Sequence, residues 1–221
     1  LLKGGAVLEQ VGRITIACFD KTGTLTAGKP QVTDVIGFAR SETDVLRVAA
    51  ALESGSSHPL ATAILAMASE RNVQVPSAED SKAVGGKGVQ AKVEGQSVFL
   101  GSPAAVAEMS ALAPDQSARI ETLNDEGKTV SLLLIGDEIA GAIAMRDEPR
   151  PDAKDGLKRL TEAGIRTLML TGDNRRTATA IGNRLGIEVK AELLPQDKQR
   201  LVTDLQRRGQ SVAKVGDGIN D

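Results

Sequence analysis

Short apolar runs and amphipathic stretches alternate near both ends of this chain. Runs of apolar residues, many of them β-branched, predict strands at 14–19, 166–170, 188–191 and 211–215. Apolar residues that recur every three or four positions predict helices at 152–162, 175–185 and 196–206. This alternation of strand and helix is typical of a parallel sheet with helices on both faces.

The middle of the chain follows a different order. Its pattern predicts three helices, at 43–52, 59–71 and 116–124. Strand patterns come in pairs joined by short polar turns, at 89–93 with 97–100 and at 129–135 with 139–145. Such hairpins indicate an antiparallel α+β module. We therefore predict one discontinuous domain, 1–28 and 146–221, that carries a second domain inserted at 29–145.

Composition narrows the range of partners. The 221 residues include 27 Lys and Arg against 29 Asp and Glu, a formal net charge of −2, and the aromatic residues are three Phe. Neither the charge nor the aromatic content favours nucleic acid. One Cys and one His exclude an internal disulfide and a transition-metal site built from these two alone, which fits a cytosolic setting. No apolar run approaches the roughly 20 residues of a membrane-spanning helix.

Asp20 directly follows the first predicted strand, in the segment 19–26, Phe-Asp-Lys-Thr-Gly-Thr-Leu-Thr. A carboxylate in this position lies at the carboxyl end of a buried strand, where open α/β sheets bind their ligands. It can attack a phosphorus atom, and the threonines and backbone amides that follow can receive phosphoryl oxygens. An isolated Asp-x-Thr is more often a turn cap, but the full segment predicts a phosphorylation site.

Residues 20–24, Asp-Lys-Thr-Gly-Thr, resemble the signature of the P-type ATPases, in which the Asp is transiently phosphorylated. Residues 216–221, Gly-Asp-Gly-Ile-Asn-Asp, resemble a second signature of that family. The resemblance covers essentially the whole chain. It implies an α/β fold: a Rossmann-like phosphorylation domain of the haloacid dehalogenase type with a parallel sheet, carrying an inserted α+β nucleotide-binding domain with an antiparallel sheet. Since the chain begins with Leu1 and stops inside the second signature, we expect an excised fragment of a pump.

Three loops at predicted strand ends carry candidate catalytic groups: Asp20, Thr171-Gly172-Asp173 and Asp217. Parallel strands present their carboxyl ends at one edge, so these loops should meet. Asp20 would be the nucleophile and Asp217 a ligand of Mg²⁺, which prefers oxygen. The resemblance adds a metal contact from Asp20 and from the Thr22 carbonyl, phosphate contacts from Thr171 and Lys198, and metal-site support from Asn220 and Asp221; Asp173 completes the catalytic set.

The residue at position 22, a threonine, favours a pump over a soluble phosphatase. Soluble phosphatases of the haloacid dehalogenase superfamily usually have a second Asp two residues after the nucleophile, as general acid and base. The Thr22 hydroxyl does not ionise in the useful range and cannot replace it. The aspartyl phosphate should therefore persist until another part of the pump, a separate actuator domain in the family, activates water.

The inserted domain contains a candidate adenine site. Ser57-His58-Pro59-Leu60 resembles the His-Pro motif of heavy-metal P-type ATPases, with Glu53 five residues before the His. A lone His before a helix-starting Pro is more often a capping or surface residue. The loop at Gly86 and Gly88 matches the family's Gly-x-Gly, and Gly101-Ser102 stands where the family often has Gly-Asn. The resemblance therefore implies ATP as substrate.

Taken together, these residues identify the chain as similar to the catalytic portion of heavy-metal P-type ATPases. The implied pump exports Zn²⁺, Cd²⁺ or Pb²⁺. The sequence of residues 1–9 favours this group of ions over copper. The transported ion would bind outside this chain, in transmembrane segments, and the chain would form a cytoplasmic domain at the cell membrane. A soluble Mg²⁺-dependent phosphatase, a copper pump and a nucleotide-sensing module without chemistry remain alternatives.

Overall fold

The computed structural model describes residues 9–216. These form two compact units, one made of the residues up to Gly28 together with those from Glu148 onwards, the other of Lys29–Asp147. The strands are β1 (Ile16–Asp20), β2 (Gln31–Gly37), β3 (Ala78–Val84), β4 (Gly88–Val93), β5 (Gln96–Gly101), β6 (Thr129–Ile135), β7 (Glu138–Arg146), β8 (Arg166–Leu170), β9 (Glu188–Lys190) and β10 (Val212–Val215). The main helices are α1 (Glu42–Glu53), α2 (Pro59–Glu70), α3 (Pro103–Ala107), α4 (Pro114–Asp125), α5 (Ala153–Glu162), α6 (Arg175–Leu185) and α7 (Pro195–Arg207).

The discontinuous unit is built on a parallel sheet with the strand order β10-β1-β8-β9. Alternate residues of β1 and β8 face opposite sides. Met169 packs with α5 and α6 through Leu157 and Ile181, whereas Cys18 packs with α7 residues, among them Leu201. The predicted parallel sheet with helices on both faces is confirmed.

The inserted unit is built on an antiparallel sheet with the order β2-β7-β6-β5-β4-β3. On one face α1 and α2 supply Leu46 and Ile64 to a core that includes Leu133. On the other face Leu123 of α4 packs against Leu132 of β6. The predicted α/β class, with a separate antiparallel sheet in the insertion, is confirmed, while the roles of the two units as phosphorylation and nucleotide-binding domains stay a prediction.

Two strands of the insertion and one helix were not predicted. β2 and β3 are the edges of the sheet, and the register of each with its partner is interrupted, between Val32 and Asp34 in β2 and near Asp80 in β3. Asp80 has a φ of 55°, and the five residues between Ala78 and Val84 are exposed, so β3 has no apolar alternation to detect. The missed helix, α3, is only five residues long. No helix within residues 9–216 is both long and apolar enough to span a membrane.

Candidate active site

The carboxyl ends of β1 and β8 lie at one edge of the parallel sheet. Asp20 closes β1 in register with Leu170, and Thr171 follows immediately. β10 pairs with β1 from the other side and runs in the same direction. This edge therefore brings the candidate nucleophile and the Thr171 loop together, as the sequence predicted.

The loop after Asp20 turns the chain back within a few residues. The amide and the hydroxyl of Thr26 both donate to the carbonyl of Lys21, each at 3.0 Å. Gly23 has a φ of 74°, a left-handed conformation that costs glycine little. Thr22 is exposed on this turn, and the Oγ1 atom of Thr24 is buried with no hydrogen-bond partner in the described part of the chain.

Lys198 forms an ion pair with the carboxylate of Asp20. It stands in the first turns of α7, which begins at Pro195 and is capped where the Leu194 amide donates to the Asp197 carboxylate at 3.2 Å. Both partners are partly exposed, with 16% of the Lys198 side chain and 18% of the Asp20 side chain accessible. A cation in this position can transfer its contact from Asp20 to an incoming phosphate.

Asp173 forms a second ion pair, with Lys21. Lys21 Nζ lies 2.6 Å from Asp173 Oδ2, and its side chain is only 8% accessible. The Asp173 amide also donates to Thr171 Oγ1 at 3.1 Å, and its carbonyl accepts from the Glu192 amide at 2.9 Å. The Asp173 carboxylate is therefore paired with a buried lysine. The sequence did not predict this contact.

Arg150 is a site residue that sequence reasoning missed. Its Nη2 donates to the carbonyl of Gly23 at 3.0 Å and its Nε to the carbonyl of Thr26 at 3.3 Å. Its backbone amide donates to the carbonyl of Leu25 at 2.9 Å. The sequence placed Arg150 only in a polar crossing between domains, because local pattern carries no signal for a side chain that binds a loop more than a hundred positions earlier.

Glu53 and His58 flank the short connection between α1 and α2. Glu53 is the last residue of α1 and 8% exposed, and its Oε2 has no hydrogen-bond partner in the part of the chain that is described. Burial raises the pKa of the Glu53 carboxyl, while a hydrogen bond from Ser56 and the charge of His58 oppose this shift. The Nδ1 of exposed His58 accepts from the Leu60 amide at 3.2 Å and caps α2. This cap leaves the Nε2 edge available to a ligand.

The three candidate glycines serve different structural needs. A Cβ on Gly88 would lie 2.1 Å from the Leu100 carbonyl, and one on Gly101 would lie 2.5 Å from the Lys87 carbonyl. Gly88 and Gly101 are partners in the β4–β5 ladder, so close strand approach is enough to require them. Gly86 has a φ of 70° and open space beside it, which leaves it the most accessible to a ligand.

Ser102, which stands where the family often has Asn, has a structural role. Its hydroxyl accepts from the Ala105 amide at 3.2 Å and caps α3. No described hydrogen bond links Glu53 or His58 to the glycines. A bond from Ser81 of β3 to the Leu52 carbonyl at 3.3 Å ties the edge of the sheet to the end of α1.

A Mg²⁺ ion would find hard oxygen donors beside β1. The Asp20 carboxylate and the carbonyl of exposed Thr22 are of the kind that Mg²⁺ prefers. Within residues 9–216 no group of three or more His, Cys, Asp and Glu side chains could hold a metal ion. The third predicted ligand, Asp217, lies outside the described residues, as do Asn220 and Asp221. The donors that are described fit Mg²⁺ but do not complete a site.

Comparison with known proteins gives consistent matches. The haloacid dehalogenase-like hydrolase family matches residues 14–221. The zinc/cadmium/lead-transporting P-type ATPase of Escherichia coli K12 is 44% identical over all of this chain and 30% of its own length. A probable copper-exporting P-type ATPase V of Mycobacterium tuberculosis H37Rv is 46% identical over all of this chain and 29% of its own. The chain thus spans about a third of the length of these curated relatives.

Solved structures agree with the sequence matches. A zinc-transporting PIB-type ATPase in the E2.Pi state is 43% identical with a TM-score of 0.67, over all of this chain and 36% of that one. The catalytic CPx-ATPase domain CopB-B is 31% identical with a TM-score of 0.74, over all of this chain and 78% of that one. The second match is to an isolated catalytic domain, so it covers most of both chains.

Proposed function

Because the chain belongs to the haloacid dehalogenase-like hydrolases and, among them, to the catalytic domains of heavy-metal P-type ATPases, we propose that it accepts the γ-phosphoryl group of ATP on Asp20. A carboxylate oxygen of Asp20 attacks the γ-phosphorus and forms an O–P bond. The bond from that phosphorus to the β,γ-bridging oxygen breaks, and ADP leaves. The observation that carries this proposal is the ion pair between Asp20, at the end of β1, and Lys198.

The surrounding residues serve positioning and charge neutralisation, which phosphoryl transfer mainly requires. Lys198 moves its contact from Asp20 to the γ-phosphate, and the Thr171 hydroxyl donates to a phosphoryl oxygen while it accepts from the Asp173 amide. P-type ATPases and haloacid dehalogenase-like hydrolases in general use Mg²⁺. Here Asp20, the Thr22 carbonyl and Asp217 would hold it, and the ion would neutralise charge on the phosphoryl group.

Thr22 makes the phosphorylated state long-lived. It stands on an exposed turn beside Asp20, where an aspartate would act as general base toward water, and its hydroxyl cannot do so. Hydrolysis by this chain alone is therefore slow. This behaviour suits a pump in which a separate domain completes the cycle.

The inserted unit binds the adenosine part of ATP in this proposal. Glu53 offers a buried carboxyl and His58 an imidazole edge, at the two ends of the short connection between α1 and α2. Gly86 offers backbone without a side chain, while Gly88 and Gly101 keep β4 and β5 close enough to shape that loop. Adenine stacks on or donates to these groups, and none of them is needed for chemistry at Asp20.

The proposed whole protein exports a heavy-metal ion, which binds in transmembrane segments outside this chain. Zinc, cadmium or lead is the proposed cargo and copper the alternative, since relatives of both kinds match over the full chain. The chain would lie on the cytoplasmic side of the cell membrane, joined to transmembrane and actuator domains.

Phosphorylation of Asp20 is tested with the fragment itself. Incubation with ATP and Mg²⁺ should give slow ATP turnover and an acid-stable phosphoryl adduct that mass spectrometry locates on Asp20. Asp20→Asn should lose both. Equal residual turnover in that variant, with contaminating ATPase excluded, would contradict the assignment. Nucleotide binding without any adduct would indicate a sensing module, and fast release of phosphate without a persistent adduct would indicate a phosphatase.

A further inference from the structure

Two lysine–carboxylate pairs meet at the edge of the parallel sheet that carries Asp20. Lys198 pairs with Asp20, and Lys21, the next residue after Asp20, pairs with Asp173 at 2.6 Å. The four charges sum to zero. Lys21 is thus paired with Asp173 and not with its sequence neighbour Asp20, whose carboxylate pairs with Lys198.

The two pairs differ in the burial of their lysines. The Lys21 side chain is 8% accessible, half the 16% of Lys198. The Lys21 carbonyl accepts two hydrogen bonds from Thr26, and Asp173 is held through its amide and carbonyl by Thr171 and Glu192. The clear difference between the two pairs is therefore that Lys21 is more deeply buried than Lys198.

We propose that Lys21 is a positioning residue for phosphoryl transfer: by occupying the Asp173 carboxylate, it prevents Asp173 from competing with Asp20 for the Lys198 ammonium. Asp173 is then not a group that touches phosphate but the partner that keeps Lys21 away from the nucleophile. This inference rests on the proposed role of Asp20.

Electrostatics gives each single substitution a specific consequence. Without Lys21, the Asp173 carboxylate is a poorly solvated, unpaired charge, which is costly. In this proposal the Lys198 ammonium, at the same edge of the sheet, relieves that charge and leaves Asp20. Without the Asp173 charge, the buried Lys21 ammonium is unpaired and turns to the adjacent Asp20. Either change removes the arrangement in which Asp20 is paired only with Lys198, the lysine that is proposed to move its contact to the phosphate. Removing both charges restores it.

The test measures labelling of the chain by acetyl phosphate with Mg²⁺, which requires no adenine site. Lys21→Met and Asp173→Asn should each label roughly 10- to 100-fold more slowly, the scale of a misplaced reacting group. The double variant Lys21→Met/Asp173→Asn should label at least about tenfold faster than Lys21→Met, since coupled charges are non-additive. Lys21→Arg, which keeps the charge, should be labelled at a rate within about tenfold of the parent rate.

A matched control is Lys128→Met in the inserted unit. Lys128 is 9% accessible and pairs with Asp34 at 2.8 Å, so its loss destabilises a comparable buried pair without affecting Asp20. Its labelling rate should equal that of the parent after correction for the folded fraction, measured by circular dichroism.

The outcomes separate this inference from the proposed function. If the parent is not labelled, or Asp20→Asn is labelled equally, the proposed function fails. If the parent is labelled at Asp20 but Lys21→Met is labelled as fast, or the double variant loses as much as the two singles combined, the role of Lys21 is refuted. Should Lys21→Met not fold, the double variant decides alone: labelling near the parent rate supports the proposal, and labelling as slow as Asp173→Asn overturns it.

Discussion

His58 combines two functions at the scale of a single residue. Its Nδ1 caps α2 by accepting from the Leu60 amide, and its exposed ring edge is proposed to meet adenine. An alanine substitution would remove both. Asparagine is a good N-cap residue and lacks the imidazole ring, so His58→Asn isolates the ligand role.

We predict that His58→Asn weakens ATP binding by about 1 to 3 kcal/mol, the scale of a base-stacking contact, or roughly 5- to 150-fold. Its thermal stability should match the parent, whereas His58→Ala should also lose about 1 kcal/mol of stability with the cap. Acetyl-phosphate labelling should be unchanged in both. Titration calorimetry with ATP and AMP measures the first effect; an unchanged affinity would refute the assignment of His58 to adenine.

Glu53 should make the stability of the chain depend on pH. Burial raises the pKa of its carboxyl above the ordinary value of 4.5, so the folded state binds more protons than the unfolded state between these two values. Since stability falls with pH where the folded state holds the extra proton, the contribution of Glu53 to the free energy of unfolding decreases as pH rises from 4.5 through the raised pKa.

Glu53→Gln should remove that decrease, leaving the variant relatively more stable above the raised pKa, while ATP binding weakens. Urea unfolding at a series of pH values compares the slopes for variant and parent. Parallel curves would show that Glu53 is not desolvated in solution, and Glu79→Gln on the exposed edge of β3 provides the matched control.

At the scale of elements, β4 and β5 distinguish glycines required by packing from a glycine open to a ligand. Gly88→Ala places a Cβ against the Leu100 carbonyl, and backbone cannot move aside as a side chain can, so we predict a loss of about 3 kcal/mol. Gly86→Ala meets open space and should cost about 1 kcal/mol for its left-handed backbone. Chemical unfolding gives both values; equal losses would contradict the close approach of the strands.

Elements with an inward apolar face could be predicted from sequence, and elements defined by their partners could not. The helix Arg175–Leu185 and the strands Arg166–Leu170 and Thr129–Ile135 have the predicted bounds. β3 exists because β4 pairs with it, which no local pattern encodes, and in β2 the bulge between Val32 and Asp34 interrupts the alternation of its apolar residues. The same holds at the site: Asp20 and Thr171 follow from strand ends, whereas the Lys21–Asp173 pair and the Arg150 contacts depend on where distant segments meet.

On the scale of the whole molecule, the inserted unit has what a separately folding domain requires. Both faces of its six-stranded sheet are covered by helices from the same unit, and each covered face has its own apolar core. We predict that residues 29–147 expressed alone unfold cooperatively on heating, bind AMP and ATP, and take no label from acetyl phosphate. Circular dichroism, calorimetry and labelling test these in turn, and a chain without a thermal transition would contradict independent folding.

The residues of the first unit that flank the insertion on either side are hydrogen-bonded to each other. The Ala27 amide donates to the Glu148 carbonyl at 3.0 Å, and Thr26 bridges to Pro149. For the host unit, the entire insertion is therefore a closed loop whose ends already meet, and the entropy of closing a loop rises only slowly with its length. An insertion attached in this way can be lengthened, shortened or exchanged with little thermodynamic consequence for the fold that carries Asp20. The proposed nucleotide site and the proposed phosphorylation site can thus evolve as separate parts of one chain.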